Sequence, residues 1–191
     1  MEKRALQQAR ERLATAEEAY TKMQSASSVI QMEAAWHQLL TAAGAIYTKL
    51  EKGVKLTGRS QSWFAKQKKQ RKDDELLQYA HQARNSSEHS VDNVVQRQEW
   101  SVSMTGLQPG EFFGVREGPG GVMFPVTNAD PKKLESRGRE MTLLPVRNRG
   151  VIYPVPTQHL GQSLISNTPN TVGDLLIQHL KAMVRDAESL V

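Results

Sequence analysis

The sequence predicts a mainly α-helical protein in which a helical bundle is followed by a small antiparallel β unit and a C-terminal helix. Over most of the first 95 residues, apolar residues recur at steps of three and four, which is the spacing of helices that bury one face. After Gln96, glycine and proline become frequent and the apolar runs become short, β-branched and aromatic, which is typical of strands joined by turns. We therefore predict two parts, a helical bundle over residues 1–95 and a β-rich unit with a closing helix over residues 96–191.

The composition restricts the class of protein. With 191 residues, 38% of them hydrophobic and 24% charged, the chain has enough apolar surface to fold as a globular protein. It contains no cysteine, which excludes disulfides and thiolate metal sites. No apolar run approaches the ~20 residues of a membrane span, and the charged N-terminal segment does not resemble a signal peptide. We expect a cytoplasmic protein without a membrane segment.

Two long helices are predicted at the start of the chain. The first runs from Glu2 to about Gln24, and the second starts with Ser27 or Ser28 as N-cap and runs to about Leu50. Each carries an apolar stripe, so the two should pack as an antiparallel hairpin. The stripe residues are Leu6, Ala9, Leu13, Ala16, Tyr20 and Met23 in the first helix and Met32, Trp36, Leu39, Leu40, Ala43, Ile46, Tyr47 and Leu50 in the second.

A third predicted helix combines aromatic and basic residues. Ser60 is its predicted N-cap, and Trp63 and Phe64 precede a basic run. Between Lys49 and Lys72 nine Lys or Arg residues accompany a single acid, whereas the whole chain has a net charge of +5. This local excess of positive charge suits binding to a phosphate backbone, and the two aromatic rings beside it could stack on bases. A solvated basic helix face and aromatic residues in the core would give the same sequence pattern. The predicted RNA-binding residues are Lys66, Lys68, Lys69, Arg71 and Lys72.

A fourth helix should begin near two acids at positions 73–74 and continue to Val94 or Val95. Ser86 and Ser87 lie inside it, and their hydroxyls compete for backbone groups, so we predict a kink there.

The second half of the chain should contain strands and one more helix. We predict strands near residues 99–105, 112–116, 122–126, 140–146 and 151–155, with a turn at Asn148–Gly150 between the last two. The glycine-rich segment 118–121 lacks the Lys-Ser/Thr of a P-loop and is interpreted as a hairpin turn. A closing helix, capped by Asn170 or Thr171, has a strong apolar stripe that must pack on the bundle or on the β unit.

The residues that indicate chemistry lie late in the fourth helix. Arg84 is followed directly by Asn85 and five residues later by His89. A five-residue step on a helix rotates roughly 500°, or about 140° net, so Arg84 and His89 of one straight helix do not share a face. They can meet only around a kink or across a dimer axis.

The stretch from Asp73 to His89, DDELLQYAHQARNSSEH, resembles the HEPN superfamily, and the resemblance covers roughly residues 1–95. It implies a HEPN-like helical bundle that cleaves RNA without metal or cofactor, using the ribose 2′-hydroxyl as nucleophile. His89 would move the proton, Arg84 would stabilise the phosphorane charge and Asn85 would orient the pair. The resemblance further implies a site completed across a homodimer and a toxin–antitoxin or phage-defence setting, with a nucleotidyltransferase-type protein as the antitoxin.

Other interpretations of these residues remain open from the sequence. Arg84 can pair with Glu88 at i,i+4 while His89 is an ordinary surface residue, in which case the chain is a non-catalytic HEPN-like protein that dimerises or binds a regulatory partner. A metal site built from His81, Glu88, His89 and Asp92 is not favoured, because their spacing does not converge on one point. The remaining histidines each stand alone in the sequence and are interpreted as structural; they are His37, His159 and His179.

Overall fold

The computed structural model of the chain describes residues 1–54, 58–89, 93–98, 101–118, 123–138 and 140–191, and the side chains at 88, 89, 136 and 137 lie outside the described part. The structure is mostly helical, with small antiparallel sheets and a C-terminal helix, as the sequence predicts. Its α-helices are α1 (Lys3–Gln24), α2 (Val29–Gly53), α3 (Gly58–Asp73), α4 (Glu75–His89) and α5 (Pro169–Glu188).

The chain divides into two compact units. Unit 1 contains Met1–Arg97 together with Met141–Val191, and unit 2 contains Gln98–Glu140. The division therefore differs from a single boundary near residue 96, because the chain returns to the first unit after leaving it. All the predicted site residues belong to unit 1.

The first two helices form the predicted hairpin. The hydroxyl of Ser28 accepts a hydrogen bond from the Gln31 amide at 3.2 Å, which confirms Ser28 as the N-cap of α2. Both apolar stripes face inward, and Trp36 and Leu39 are completely buried between the helices. Helices α4 and α5 pack on this hairpin, and α3 packs on α4.

The closing helix α5 packs on the bundle. Its apolar stripe is buried, mainly against α1 and also against α2 and α4, which confirms the prediction that the stripe does not face solvent. The N-cap is Thr168 instead of Asn170 or Thr171, since its hydroxyl accepts a hydrogen bond from the Thr171 amide and Pro169 occupies the first helical position.

Helices α3 and α4 differ from the prediction at their ends. Ser60 does not cap α3: the helix starts at Gly58, and the buried Ser60 hydroxyl donates to the carbonyl of Val54 at 3.0 Å. The start of α4 agrees with the prediction, since it is capped by Asp74, whose carboxylate accepts a hydrogen bond from the Leu77 amide at 2.9 Å. The fourth helix does not reach Val95, because α4 ends at His89 and Val95 begins the first strand.

The two serines at which a kink is predicted lie inside α4. Helix α4 is continuous through both residues. The Ser87 hydroxyl donates to the Arg84 carbonyl at 3.0 Å, and the Ser86 hydroxyl donates outward to the carbonyl of Arg147 at 3.2 Å. Since each hydroxyl has an acceptor, the serines are accommodated without ending the helix.

The strands form two-stranded ladders. Three of the strand pairs belong mainly to unit 1, namely 95–98 with 140–143, 146–148 with 151–153, and 158–159 with 162–163. Two belong to unit 2, namely 101–104 with 134–137 and 113–117 with 123–127. The predicted turn at Asn148–Gly150 is confirmed, with Arg149 and Gly150 at φ values of 49° and 79° as a two-residue hairpin turn requires. The strands are β1 (Val95–Gln98), β2 (Ser101–Met104), β3 (Phe113–Glu117), β4 (Met123–Thr127), β5 (Leu134–Arg137), β6 (Glu140–Leu143), β7 (Val146–Asn148), β8 (Val151–Tyr153), β9 (Gln158–His159) and β10 (Gln162–Ser163).

Within the part of the chain that the structure describes, no helix combines the length and the apolar character needed to cross a bilayer.

Candidate functional site

The two predicted site residues at 84 and 85 are joined by a hydrogen bond. The Nη1 group of Arg84 donates to Oδ1 of Asn85 at 3.1 Å, and Nδ2 of Asn85 lies 3.4 Å from Nε2 of His81, one helical turn earlier. All three side chains are half-buried on one side of α4. Asn85 therefore holds the Arg84 guanidinium on one side and is held by His81 on the other.

His89 is the last residue of α4, and its side chain lies outside the described part of the structure. The same applies to Glu88, the predicted i,i+4 partner of Arg84, and Asp92 lies in a segment outside the described residues. His89 lies five residues after Arg84 on a helix that extends as far as His89, so the two positions are rotated by about 140°.

Helix α2 approaches α4 closely where Arg84 lies. A Cβ atom added to Gly44 would lie 3.3 Å from Nε and 3.5 Å from Cδ of Arg84. The absence of a side chain at Gly44 thus leaves the space that the arginine stem occupies between the helices.

A small pocket lies between α2, α3, α4 and α5. Its volume is about 20 Å³, which is enough for one water molecule. Arg84 of the motif and Arg71 of the basic run both line it, so it is named here the Arg71–Arg84 pocket. The lining residues are Leu40, Ala43, Gly44, Tyr47, Arg71, Leu77, Ala80, His81, Arg84 and Leu176.

Arg71 points toward the interior of unit 1. Its guanidinium carbon lies 4.5 Å from the centroid of the Tyr47 ring, a cation–π contact. Burial lowers the pKa of Arg71 from its ordinary value, and burial likewise raises the pKa of the Tyr47 phenol. At neutral pH the pocket therefore contains a charged arginine beside a neutral phenol.

His81 is neutral at neutral pH. Burial, followed by the positive charges of Arg71 and Arg84, lowers the pKa of His81 to about 4. The sequence suggested only a metal-ligand role for His81, and the contact with Asn85 was not predicted. The i,i+4 spacing of His81 and Asn85 is the signal that could have indicated the contact.

The predicted RNA-binding residues are spread around α3. Successive residues of a helix are rotated by about 100°, so Lys66 and Lys68 lie about 160° apart, Lys69 and Lys72 lie between them, and Arg71 points inward. Two of these lysines have acidic partners. Lys68 lies 3.0 Å from Glu51 and also over the Phe64 ring, and Lys69 lies 3.3 Å from Asp73.

The aromatic pair of α3 is divided between core and surface. Phe64 is buried, as the core interpretation predicts. Trp63 is only partly buried against the core, and its indole remains accessible beside the basic residues. The remaining tryptophan outside the α1–α2 core, Trp100, lies outside the described residues.

The two histidines of the second half do not stand alone. Nδ1 of His159 lies 3.0 Å from Oδ1 of Asp74, and its ring meets the ring of His179 edge-on at 6.0 Å. His179 in turn contacts the Tyr47 hydroxyl at 3.0 Å. The partner of His159 lies 85 positions away in the sequence, so local spacing carries no signal for it.

Asp74 is the centre of this second polar group. Burial by itself raises the pKa of Asp74, but hydrogen bonds from the amides of Leu160 and Leu77 and from His159 lower it below its ordinary value. Burial, followed by the charge of His159, lowers the pKa of His179 to about 4. At neutral pH His179 is therefore neutral and Asp74 is ionised. Their contacts connect α5 with Tyr47 of α2, and the start of α4 with the β9–β10 hairpin.

Among the residues that the structure describes, no three His, Asp or Glu side chains are grouped so as to hold a metal ion. Comparisons with protein-family models, with curated proteins and with solved structures gave no match for this chain.

Proposed function

We propose that this chain is a HEPN-type endoribonuclease that cleaves RNA without metal and acts as a homodimer. The observation that supports the proposal is that Arg84 of the motif and Arg71 of the basic run line one pocket. Two neighbouring guanidinium groups attract a phosphate, because each offers a fork of donors that fits its oxygens, and since the pocket itself holds only one water molecule, the phosphate would lie outside it.

The reaction consists of attack by the ribose 2′-oxygen on the adjacent phosphorus, with departure of the 5′-oxygen. The products are a 2′,3′-cyclic phosphate and a 5′-hydroxyl. In the proposed mechanism His89 takes the proton from the 2′-hydroxyl or supplies one to the leaving oxygen, and Arg84 stabilises the charge of the phosphorane. Asn85 fixes the guanidinium through the 3.1 Å hydrogen bond.

The proposed homodimer follows from helix geometry. The helix positions of Arg84 and His89 are rotated by about 140°, whereas a two-fold axis beside α4 would bring Arg84 of one protomer toward His89 of its partner. We also propose that the protein acts as a toxin or in phage defence and that its cellular partner is a protein antitoxin. Both points rest on the resemblance to the HEPN superfamily.

Cleavage of RNA by the purified protein in excess EDTA tests the proposal. The cut should leave a 2′,3′-cyclic phosphate and should spare DNA and 2′-O-methyl RNA, which lack the attacking hydroxyl. His89→Ala and Arg84→Ala should each lower the rate roughly a hundred- to ten-thousand-fold. The matched controls are His37→Ala and Arg12→Ala, which remove the same side-chain types from α2 and α1. Cleavage that survives both site substitutions contradicts the proposal.

A non-catalytic HEPN-like dimerisation or regulatory protein is the second candidate. It is favoured by the half-buried position of Arg84 and Asn85, which contact each other and His81, as structural residues of a helix interface do. On this alternative Arg84→Ala would lower the free energy of unfolding and weaken partner binding, and the wild-type dimer would leave every RNA intact.

A further inference from the structure

A groove on the outer side of α3 contains two cations of the basic run, Arg59 and Lys66, for which the described part of the chain shows no acidic partner. It has a volume of about 380 Å³ and lies between the first half of α3 and the end of α5. We name it the Trp63 groove, after the indole at its centre. Its α3 side consists of Arg59, Ser62, Trp63 and Lys66, and its α5 side includes Asp186 and Leu190.

The spacing of the α3 residues aligns them along the groove. Positions 59, 63 and 66 are separated by four and three residues, so they lie on one face of the helix, with the tryptophan between the two cations. At about 1.5 Å per residue, Arg59 and Lys66 are separated by roughly 10 Å along the helix axis. The groove therefore presents an aromatic ring between two positive charges.

Both cations are exposed, and among the described residues neither forms an ion pair. Lys68 and Lys69 differ in this respect, since each lies within 3.3 Å of a carboxylate. Asp186 is the acidic residue that lines the groove, so the two cations outnumber the acid there. A polyanion bound in the groove would gain charge neutralisation without displacing an existing ion pair.

Trp63 is suited to stacking. Its ring is partly exposed, and its Nε1 group is buried without a hydrogen-bond acceptor among the described residues. A change in the orientation of the indole to meet a ligand would therefore break no hydrogen bond. Stacking on an aromatic ring requires an unpaired base, because the bases of a duplex are already stacked on one another.

We infer that the Trp63 groove binds single-stranded RNA, with one base stacked on Trp63 and the neighbouring phosphates contacting Arg59 and Lys66. The inference deepens the proposed ribonuclease function and takes RNA as the polyanion from it. It places substrate binding on the side of α3 that carries Arg59 and Lys66, away from the side that carries Lys68 and Lys72.

The test is binding of a fluorescein-labelled 2′-O-methyl U12 oligonucleotide to the full chain, measured by anisotropy between 50 and 200 mM salt. This probe cannot be cleaved, so its binding is independent of catalysis. Arg59→Ala with Lys66→Ala should lower the log–log salt slope by about 1.4, at about 0.7 per phosphate contact. Lys68→Ala with Lys72→Ala removes the same charge from the opposite side and should leave the slope unchanged.

Trp63 is tested with two substitutions, because the residue also packs against the core. Trp63→Leu should weaken binding of the oligonucleotide roughly 5- to 150-fold at unchanged salt slope, and Trp63→Phe should retain most of the affinity. Circular-dichroism melting of both variants checks that the fold is intact. Equal weakening by both substitutions in folded protein would show that stacking is not involved.

Three results would overturn the inference. The first is a salt slope that falls with the Lys68/Lys72 substitutions and not with the Arg59/Lys66 substitutions. The second is tighter binding of duplex RNA than of single-stranded RNA. The third is competition by poly-glutamate that equals competition by RNA, which would indicate an acidic peptide as the ligand. Loss of cleavage in His89→Ala with unchanged binding supports both proposals. Binding through the groove by wild-type protein that cleaves no RNA supports the groove and contradicts the ribonuclease.

Discussion

The hydroxyl of Tyr47 lies 3.0 Å from Nε2 of His179, inside unit 1. Because His179 has a pKa of about 4, its ring is neutral at neutral pH, and the phenol donates the hydrogen bond to Nε2. The face of the same tyrosine ring carries the guanidinium of Arg71. One side chain of α2 thus holds a residue of α3 and a residue of α5.

Tyr47→Phe should lower the free energy of unfolding by about 1–3 kcal/mol, because it leaves Nε2 of a buried histidine without its donor. Urea denaturation at pH 7 measures the loss. Tyr153→Phe removes a hydroxyl from a partly buried tyrosine of β8 and is the matched control. A loss no larger than that of the control would show that the hydrogen bond contributes little.

Stability should fall as the pH is lowered from 6.5 toward 4. The folded-state pKa values of His81 and His179 are about 4 and their ordinary value is 6.5, so between these limits the unfolded chain binds protons that the folded chain excludes. His179→Asn should reduce the slope of unfolding free energy against pH by up to about 1.4 kcal/mol per pH unit. His37→Asn is the control, and the idea fails if the two variants have the same slope as wild type.

Asp74→Asn should open the β9–β10 hairpin. The carboxylate accepts hydrogen bonds from the amides of Leu77 and Leu160 and contacts His159, whereas an amide side chain has only one acceptor oxygen. We expect a loss of about 1–3 kcal/mol and faster hydrogen exchange at Leu160. Asp130→Asn, which changes a cap in unit 2, should leave that exchange rate unchanged. Unchanged protection of Leu160 in Asp74→Asn would contradict the prediction.

Gly44→Ala should impair the candidate site without loss of stability. The new methyl group would lie 3.3 Å from Nε of Arg84 and would shift that side chain by a few tenths of an ångström, while alanine is favoured over glycine in a helix by about 1 kcal/mol. Since a misplacement of 1 Å costs about 100-fold, we expect a several-fold loss of RNA cleavage. Gly58→Ala, where a methyl group would meet nothing within 4 Å, should cleave like wild type.

The long helices could be predicted from the sequence because each buries a continuous apolar stripe. The bounds of α1 and α2 agree with the predicted ones to within a few residues. The N-cap of α5 was placed two or three residues too late, because Thr168, Asn170 and Thr171 are all capping residues and only the position of Pro169 distinguishes them.

The short strands were harder to predict. Strands β5, β9 and β10 contain almost no apolar residues, so no alternation of apolar and polar positions marks them. Val94 and Val95 continue the apolar pattern of α4, so the helix was predicted to include them. In the structure both are buried at the start of β1, which pairs with β6.

The candidate site was only partly accessible from the sequence. Arg84 and Asn85 were identified by their motif, but the approach of Arg71 to the same pocket depends on how α3 packs on Tyr47. The Asp74–His159 contact joins residues 85 positions apart, which no local pattern reveals. Helical rotation could have shown that the five basic residues do not share a face, since Lys66 and Lys68 differ by about 160°.

The pairing of β1 with β6 has a consequence for protein engineering. The chain enters unit 2 at the end of β1 and leaves it at the start of β6. Because β1 pairs with β6, the two ends of unit 2 lie side by side. It is an insertion, and a short turn can span the gap it would leave. Each halving of a flexible loop lowers its closure cost by about 0.6 kcal/mol, so the shorter connection by itself should favour the folded bundle. A minimal bundle of this kind would retain Arg84, Asn85 and His89.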